Sequence, residues 1–359
     1  MTAGFFTICT KSYLADARTL QKSISVFHPD LPFYLFLADE PDGYFDPNVE
    51  PFIVVQLHQL RYVDSIEKMK FYYTAFEFCC SLRPFAHEYL LEQTSLDAWL
   101  FLDTDIYVTS SLQPVLDVLN GCPILFSPHR LDVVDADDVD RHDLELLRYG
   151  AYNGGFLGIR RSESSQNFLK WFRERLIRHC RSSGVLMCDQ KWLDLVPSFF
   201  PESEIFRHRG ANVAYWNIHE RVLSISPGGQ LEVAGADLLF FHFSGWDLEN
   251  PLCVTRYMPI DTGAYASAWQ LLAERYRDTL LDNGYVVCRK WPYSFDNFTS
   301  GEKILPEMRQ LYYDELIVGE SMNQNPFSQP TKFISRNSNI ERRSLKSVIG
   351  KFVKNLVVF

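Results

Sequence analysis

The sequence predicts an α/β fold with a mostly parallel sheet flanked by helices and a small C-terminal helical extension. Three observations predict it: short continuous apolar runs, helix-like stretches between them, and polar residues directly after several runs. Continuous apolar strands separated by helices indicate a parallel sheet covered on both faces. Such sheets bind ligands at the carboxyl ends of their strands.

The elements follow in order. Gly4–Thr10 is a short β-rich run, and Tyr13–Phe27 reads as a helix with Leu14, Ala17, Leu20 and Ile24 near helical spacing. Pro32–Leu37 and Phe52–Leu57 are the second and third strands, and the second ends in Ala38-Asp39-Glu40. A helical region around Met69–Leu90 leads to a fourth strand, Ala98–Leu102, which runs into Asp103-Thr104-Asp105. Thr10, Asp39, Asp103 and Asp105 are thereby placed where ligands bind.

Composition narrows the function. The 359 residues include 47% apolar and 15% aromatic residues, as expected of a globular chain with a large core. The net charge of −10 argues against general nucleic-acid binding. The charge is uneven: Lys332–Phe359 holds seven basic residues and one acid, a balance of +6 that leaves −16 on the rest. The eight cysteines show no zinc-ligand spacing and read as reduced thiols. With no basic start and no run near the ~20 apolar residues that span a bilayer, a cytoplasmic location is expected. Asp132–Glu145, with seven acids among fourteen residues, lacks the order of a calcium loop and reads as a solvated helix or mobile loop.

Four local elements carry chemistry. The first is Leu100–Val108, in which Asp103 and Asp105 would lie about 6.6 Å apart on an extended strand at ~3.3 Å per residue. Two carboxylates so spaced can share a hard divalent cation with a diphosphate. The second is Tyr152-Asn153-Gly154-Gly155, a turn before a strand whose glycines allow close approach and whose amide can bond sugar hydroxyls. The third is Cys188-Asp189-Gln190 ahead of a short helix; Asp189 is either a sugar-holding acid or the helix N-cap. The fourth pairs Asn212–Asn217 with Phe240–Trp246, where His242 ends an apolar run as a core residue or a third metal ligand.

In their joint order these elements resemble GT-A (Rossmann-like) glycosyltransferases. The similarity is greatest to the retaining, manganese-dependent group of bacterial lipopolysaccharide galactosyltransferases and glycogenin-like enzymes. More broadly, the chain resembles bacterial glycosyltransferases of surface-polysaccharide synthesis. The resemblance spans residues 4–256. It implies Mn²⁺ (or Mg²⁺) held by Asp103, Asp105 and His242, with Thr104 between the acids. Thr7, Cys9, Thr10 and Asp39 would line the base and ribose, and Arg83 would touch donor phosphate or sugar. Asn153, Asp189 and Gln190 would hold the donor sugar as the catalytic set, beside Gly154 and Gly155. Asn212 and Trp246 would complete the donor site, with Gly245 letting the loop close over the diphosphate. The relatives carry a lysine three residues after this glycine; here it is Leu248, so Arg256 is the substitute cation. The departure leaves stereochemistry open. Retention follows from the resemblance, whereas inversion would need Asp189 or Asp247 as base.

The expected partners are a nucleotide-sugar donor, by resemblance a UDP-sugar, and a glycan, lipid-linked or protein acceptor. Residues 1–256 would form the transferase domain, 257–319 a helical subregion, and 320–359 a linker and basic amphipathic tail. In that tail Leu345, Val348, Ile349, Phe352, Val353 and Leu356 share one face. It would lie peripherally on an anionic membrane surface, or pack on the core or a partner. Two other readings stand beside the transferase: a sugar nucleotidyltransferase, although Thr7–Ser12 lacks the expected glycines, and a non-catalytic glycan-binding protein on a degenerate transferase fold.

Overall fold

The structure is a computed structural model that describes residues 1–182, 186–318 and 325–330. Its frame is a seven-stranded sheet. Among the described residues there are twelve strands: β1 (Ala3–Cys9), β2 (Phe33–Leu37), β3 (Ile53–Gln56), β4 (Ala98–Leu102), β5 (Ile106–Val108), β6 (Ile124–Pro128), β7 (Tyr152–Arg160), β8 (Glu204–Ile205), β9 (Leu223–Ile225), β10 (Leu231–Val233), β11 (Ala236–Asp237) and β12 (Phe240–His242). The main sheet runs β3-β2-β1-β4-β7-β6-β8. β1 pairs parallel with both β2 and β4, and β2 with β3, whereas β7 is antiparallel to both β4 and β6. The α/β expectation holds, with one reversed strand through the middle of the sheet.

Alternation along the strands builds two cores. In β1, Phe5 packs on one face with Leu35, Leu100 and the helix Leu14–Ser25. Phe6 packs on the other with Phe36, Phe101 and the helices Arg83–Gln93 and Glu163–Leu176. Residues two apart face the same side of a strand, so apolar residues at every position mean both faces are covered. A third cluster joins Phe241 and Phe243, at the end of β12, to Trp269, Leu272 and Tyr276 of the helix Ala266–Asp282.

The expected helical region around 69–90 is three helices, Val63–Tyr72, Ala75–Ser81 and Arg83–Gln93. The second is started by a capping box between Thr74 and Glu77, and Pro84 enters the first turn of the third. The acidic stretch is largely helical, Val139–Tyr149.

After Ala266–Asp282 the chain turns at Gly284 (φ +89°) and returns to the carboxyl ends of β1 and β2. Trp291 stacks on Phe45, and Ser294 donates its backbone N–H to Asp39 Oδ1 at 2.9 Å. Arg309, in the helix Pro306–Val318, donates to the carbonyls of Phe71, Tyr73 and Phe295 at 2.7, 3.0 and 2.7 Å. Among the described residues no helix is long and apolar enough to cross a membrane. The basic tail lies outside the described residues.

Candidate active site

The carboxyl end of β4 opens into a cavity of about 1510 Å³. Strand pairing assembles its floor. Leu102 pairs with Phe156 of β7, and Asp103 donates its N–H to Gly155 O at 3.0 Å. The chain then turns, closed by Ile106 N–H to Asp103 O at 3.1 Å, and enters β5. β12 runs antiparallel to β5, setting His242 opposite Ile106, and Phe243 N–H reaches Asp105 O at 2.8 Å.

This corrects the extended Asp-x-Asp of the sequence reading. The acids sit in a turn, and one ligand atom from each of Asp103, Asp105 and His242 lies within 4.8 Å of the others. His242 Nε2 is 3.0 Å from Asp105 Oδ1 and 3.9 Å from Asp103 Oδ2. Its Nδ1 faces Asn212 Oδ1 at 3.3 Å, which suits an Nδ1–H donor and leaves Nε2 toward the acids. Burial alone would lower the His242 pKa, but Asp105 outweighs it and raises it. Two carboxylates and an oriented imidazole within this span fit a divalent cation such as Mn²⁺ or Mg²⁺.

The Asn-Gly-Gly segment is also corrected: it is part of β7 rather than a turn before it. Its glycines serve close packing. A Cβ on Gly154 would stand 2.6 Å from Arg83 Nη1, and one on Gly155 would stand 2.6 Å from both Asp103 Oδ2 and His242 Cε1. Asn153 Oδ1 accepts from Gly155 N–H at 3.1 Å, which turns its Nδ2 toward His129 Nε2 and Gln190 Oε1, each at 3.3 Å.

Arg83 is the hub. Buried in the first turn of its helix, it donates to Asp103 at 2.8 Å and pairs with Asp189. Its guanidinium also lies over the Phe101 ring at 4.5 Å. Burial lifts the Asp189 pKa against the pull of Arg83. Asp189 makes no side-chain capping bond to the following short helix, so its role is the ion pair. Gln190 Oε1 accepts from Gly154 N–H at 3.0 Å, and its Nε2 donates to Tyr149 O at 2.9 Å.

Of the predicted donor-binding residues, Cys9, Thr10, Arg83, Thr104, Gly154, Gly155, Gly245, Trp246 and Arg256 line the cavity with the three candidate ligands. Gly245 has φ +73°, and Arg256 N–H bonds its carbonyl at 2.9 Å, so Arg256 is held beside the glycine loop. Trp246 is anchored by Nε1–H to Pro251 O at 3.1 Å. Asn212 does not line the cavity but orients His242 from behind.

Thr7 and Asp39 stand outside the cavity lining. Thr7 is fully buried in β1. Asp39 is saturated: it accepts from Lys11 N and Nζ at 3.2 and 3.1 Å, Glu40 N at 3.0 Å and Ser294 N at 2.9 Å. Lys11 and Glu40 supply three of these bonds, and the returning C-terminal segment adds the fourth through Ser294.

The sequence reading missed His129, Tyr13, Asp16 and Arg289. His129 is buried, its pKa lowered to about 4 by that burial, and its ring accepts from Asn153. Asn217 ties this wall together, donating to His129 O at 2.8 Å and Asn212 O at 2.9 Å. The Tyr215-Trp216-Asn217 run is visible in the sequence, but its partner His129 lies 88 residues away.

Fold and site together define an α/β protein whose sheet ends in a cleft with a two-acid, one-histidine cluster. No protein-family model matches the chain. Among curated proteins it is similar to two uncharacterised proteins of Bacillus subtilis strain 168. YfnF is 24% identical over 258 residues, covering 68% of this chain and 82% of YfnF. YfnD is 22% identical over 254 residues, covering 69% and 79%. Among solved structures it is similar to the galactosyltransferase LgtC, at 17% identity and TM-score 0.47 over 78% of this chain and 95% of LgtC. It is also similar to the glycosyltransferase GlyE of Streptococcus pneumoniae TIGR4, at 14% identity and TM-score 0.43 over 82% and 66%.

Proposed function

We propose that the protein is a metal-dependent glycosyltransferase that moves a sugar from a nucleotide diphosphate sugar, such as a UDP-sugar, onto a glycan, lipid-linked or protein acceptor. The observation that carries this reading is the Asp103–Asp105–His242 cluster in the wall of a cavity large enough for two substrates.

A divalent cation bound there would neutralise the charge that develops on the leaving diphosphate. The chain's own residues do the remaining work. Arg256, beside the Gly245 loop, supplies a positive charge for the diphosphate in place of the lysine that Leu248 replaces. Arg83 fixes Asp103 and Asp189 so that the donor meets a preorganised wall. Asn153, Asp189 and Gln190 bound the donor-sugar position, and Tyr215, Trp216 and Tyr257 offer apolar ring faces to an acceptor glycan.

The Asp189 carboxylate is engaged by the Arg83 guanidinium, which leaves it less free to take a proton from an acceptor hydroxyl. That supports retention over an inverting mechanism based on Asp189. A cytoplasmic site of action, with the basic tail resting on an anionic membrane, fits a lipid-linked acceptor.

The test is donor hydrolysis across UDP-, GDP- and dTDP-sugars with Mn²⁺, wild type beside Asp103→Ala. Metal-dependent release of one nucleotide, lost in the variant, is the expected result. Glycan binding that needs neither nucleotide nor metal, with no hydrolysis, would replace the proposal with a binding protein.

A further inference from the structure

The C-terminal helices bring a second charged cluster to the cavity. Asp16, in the helix after β1, is 2% exposed, and its Oδ1 accepts from Arg289 Nη2 at 2.7 Å. Arg289 follows the short helix Tyr285–Cys288. Its guanidinium lies 3.6 Å from the Tyr13 ring centre and 4.7 Å from that of Tyr285. Tyr13, Asp16, Tyr285 and Arg289 all line the cavity that contains Asp103, Asp105 and His242.

The ion pair is incomplete in a specific way. Asp16 Oδ2 and Arg289 Nε are both buried without a hydrogen-bond partner. Unpaired buried polar groups are costly, so an open acceptor and an open donor within one ion pair of the cavity lining call for a ligand. Burial, opposed by Arg289, also lifts the Asp16 pKa to about 7, as expected of a carboxyl short of partners.

The charges of Asp16 and Arg289 offset each other, so the pair does not match a phosphate. It matches a neutral group that both gives and takes hydrogen bonds, and a vicinal diol is such a group. Two tyrosine rings, Tyr13 and Tyr285, lie against the Arg289 guanidinium beside this position. Asp39, the carboxylate expected to serve the nucleoside, is filled by Lys11, Glu40 and Ser294.

We propose that Asp16 and Arg289 form the subsite that reads the ribose diol of the donor nucleotide, with the C-terminal helical region supplying half of it. This rests on the glycosyltransferase reading above and deepens it: the nucleotide must be a ribonucleotide, and residues beyond 256 belong to the donor site.

The experiment is isothermal titration of the full chain in Mn²⁺ with UDP, GDP and dTDP, then with the 2′-deoxy and 3′-deoxy forms of the tighter ribonucleotide. The ribonucleotide should bind about ten-fold or more tighter than either deoxy form, and Asp16→Asn and Arg289→Lys should cut that preference to about two-fold. The preference is a ratio within one protein, so partial loss of folded material does not alter it. Equal binding of the deoxy forms, as expected if the diol belongs to an acceptor sugar, overturns the inference. So does tightest binding of dTDP, or an undiminished preference in both variants. Failure of every nucleotide to bind wild type removes the transferase reading together with the inference; nucleotide binding without ribose preference removes the inference alone.

Discussion

Replacing Gly155 with alanine isolates the candidate metal cluster. Gly155 lies inside β7 with a backbone conformation open to any residue, so the substitution acts through its added carbon. That carbon would stand 2.6 Å from Asp103 Oδ2, 2.6 Å from His242 Cε1 and 2.9 Å from Asn153 Oδ1, where ordinary contact begins at 3.4 Å. Two candidate ligands must therefore yield by about 0.8 Å to admit the new methyl group. Neither is free to do so: Asp103 is held by Arg83, and His242 by Asn212 and the β5 pairing. A displacement of this size at a metal site costs roughly ten- to hundred-fold in metal affinity, and the overpacking about 1–3 kcal/mol of stability. Titration with Mn²⁺ alongside a thermal melt reads both quantities. Gly158→Ala is the control on the same strand, because the atoms nearest its carbon belong to Leu119 and Leu125 at 3.1 to 3.3 Å. It should lose some stability and keep its Mn²⁺ affinity. A folded Gly155→Ala protein that binds Mn²⁺ like wild type would refute the reasoning.

Three further perturbations follow from the same structure. Arg83→Met leaves Asp189 buried without its counter-ion, so urea unfolding should show a loss of about 3–5 kcal/mol; a loss under 1 kcal/mol would contradict the hub role. Arg309→Met should cost about 3 kcal/mol by stranding the carbonyls of Phe71, Tyr73 and Phe295, while nucleotide affinity stays unchanged. His87, buried and accepting from Trp99 Nε1 at 2.8 Å, has its pKa lowered to about 3 by burial. The unfolded chain takes up that proton first, so the contribution of neutral His87 is complete above pH 6.5 and is lost progressively as pH falls toward 3. Going from pH 7 to 5, His87→Phe should lose about 2 kcal/mol less stability than wild type; parallel pH profiles would contradict this.

Much of this arrangement is legible in the residues. Unbroken apolar runs such as Phe33–Leu37 and Ala98–Leu102 can be satisfied only by a sheet buried on both faces. Asp103, Asp105 and His242 stand out because charged or ionisable side chains end apolar strands. The errors come from contacts remote in sequence. Asp103 and Asp105 read as strand neighbours because nothing local shows the chain turning into β5 to meet β12. The Asn-Gly-Gly segment reads as a turn because glycine favours turns, yet here it clears space for Arg83, Asp103 and His242. Asp39 reads as a ligand residue until Ser294, 255 residues away, occupies it. Asp16 and Arg289 are unremarkable alone and acquire meaning only as a pair.

The central claim is that Asp103, Asp105 and His242 hold a cation that binds a nucleotide diphosphate. Titration of UDP with and without Mn²⁺, in wild type and Asp105→Ala, tests it most directly. The account predicts binding that requires Mn²⁺ in wild type and is lost in the variant. Nucleotide binding that is indifferent to the metal and unchanged by Asp105→Ala would contradict it.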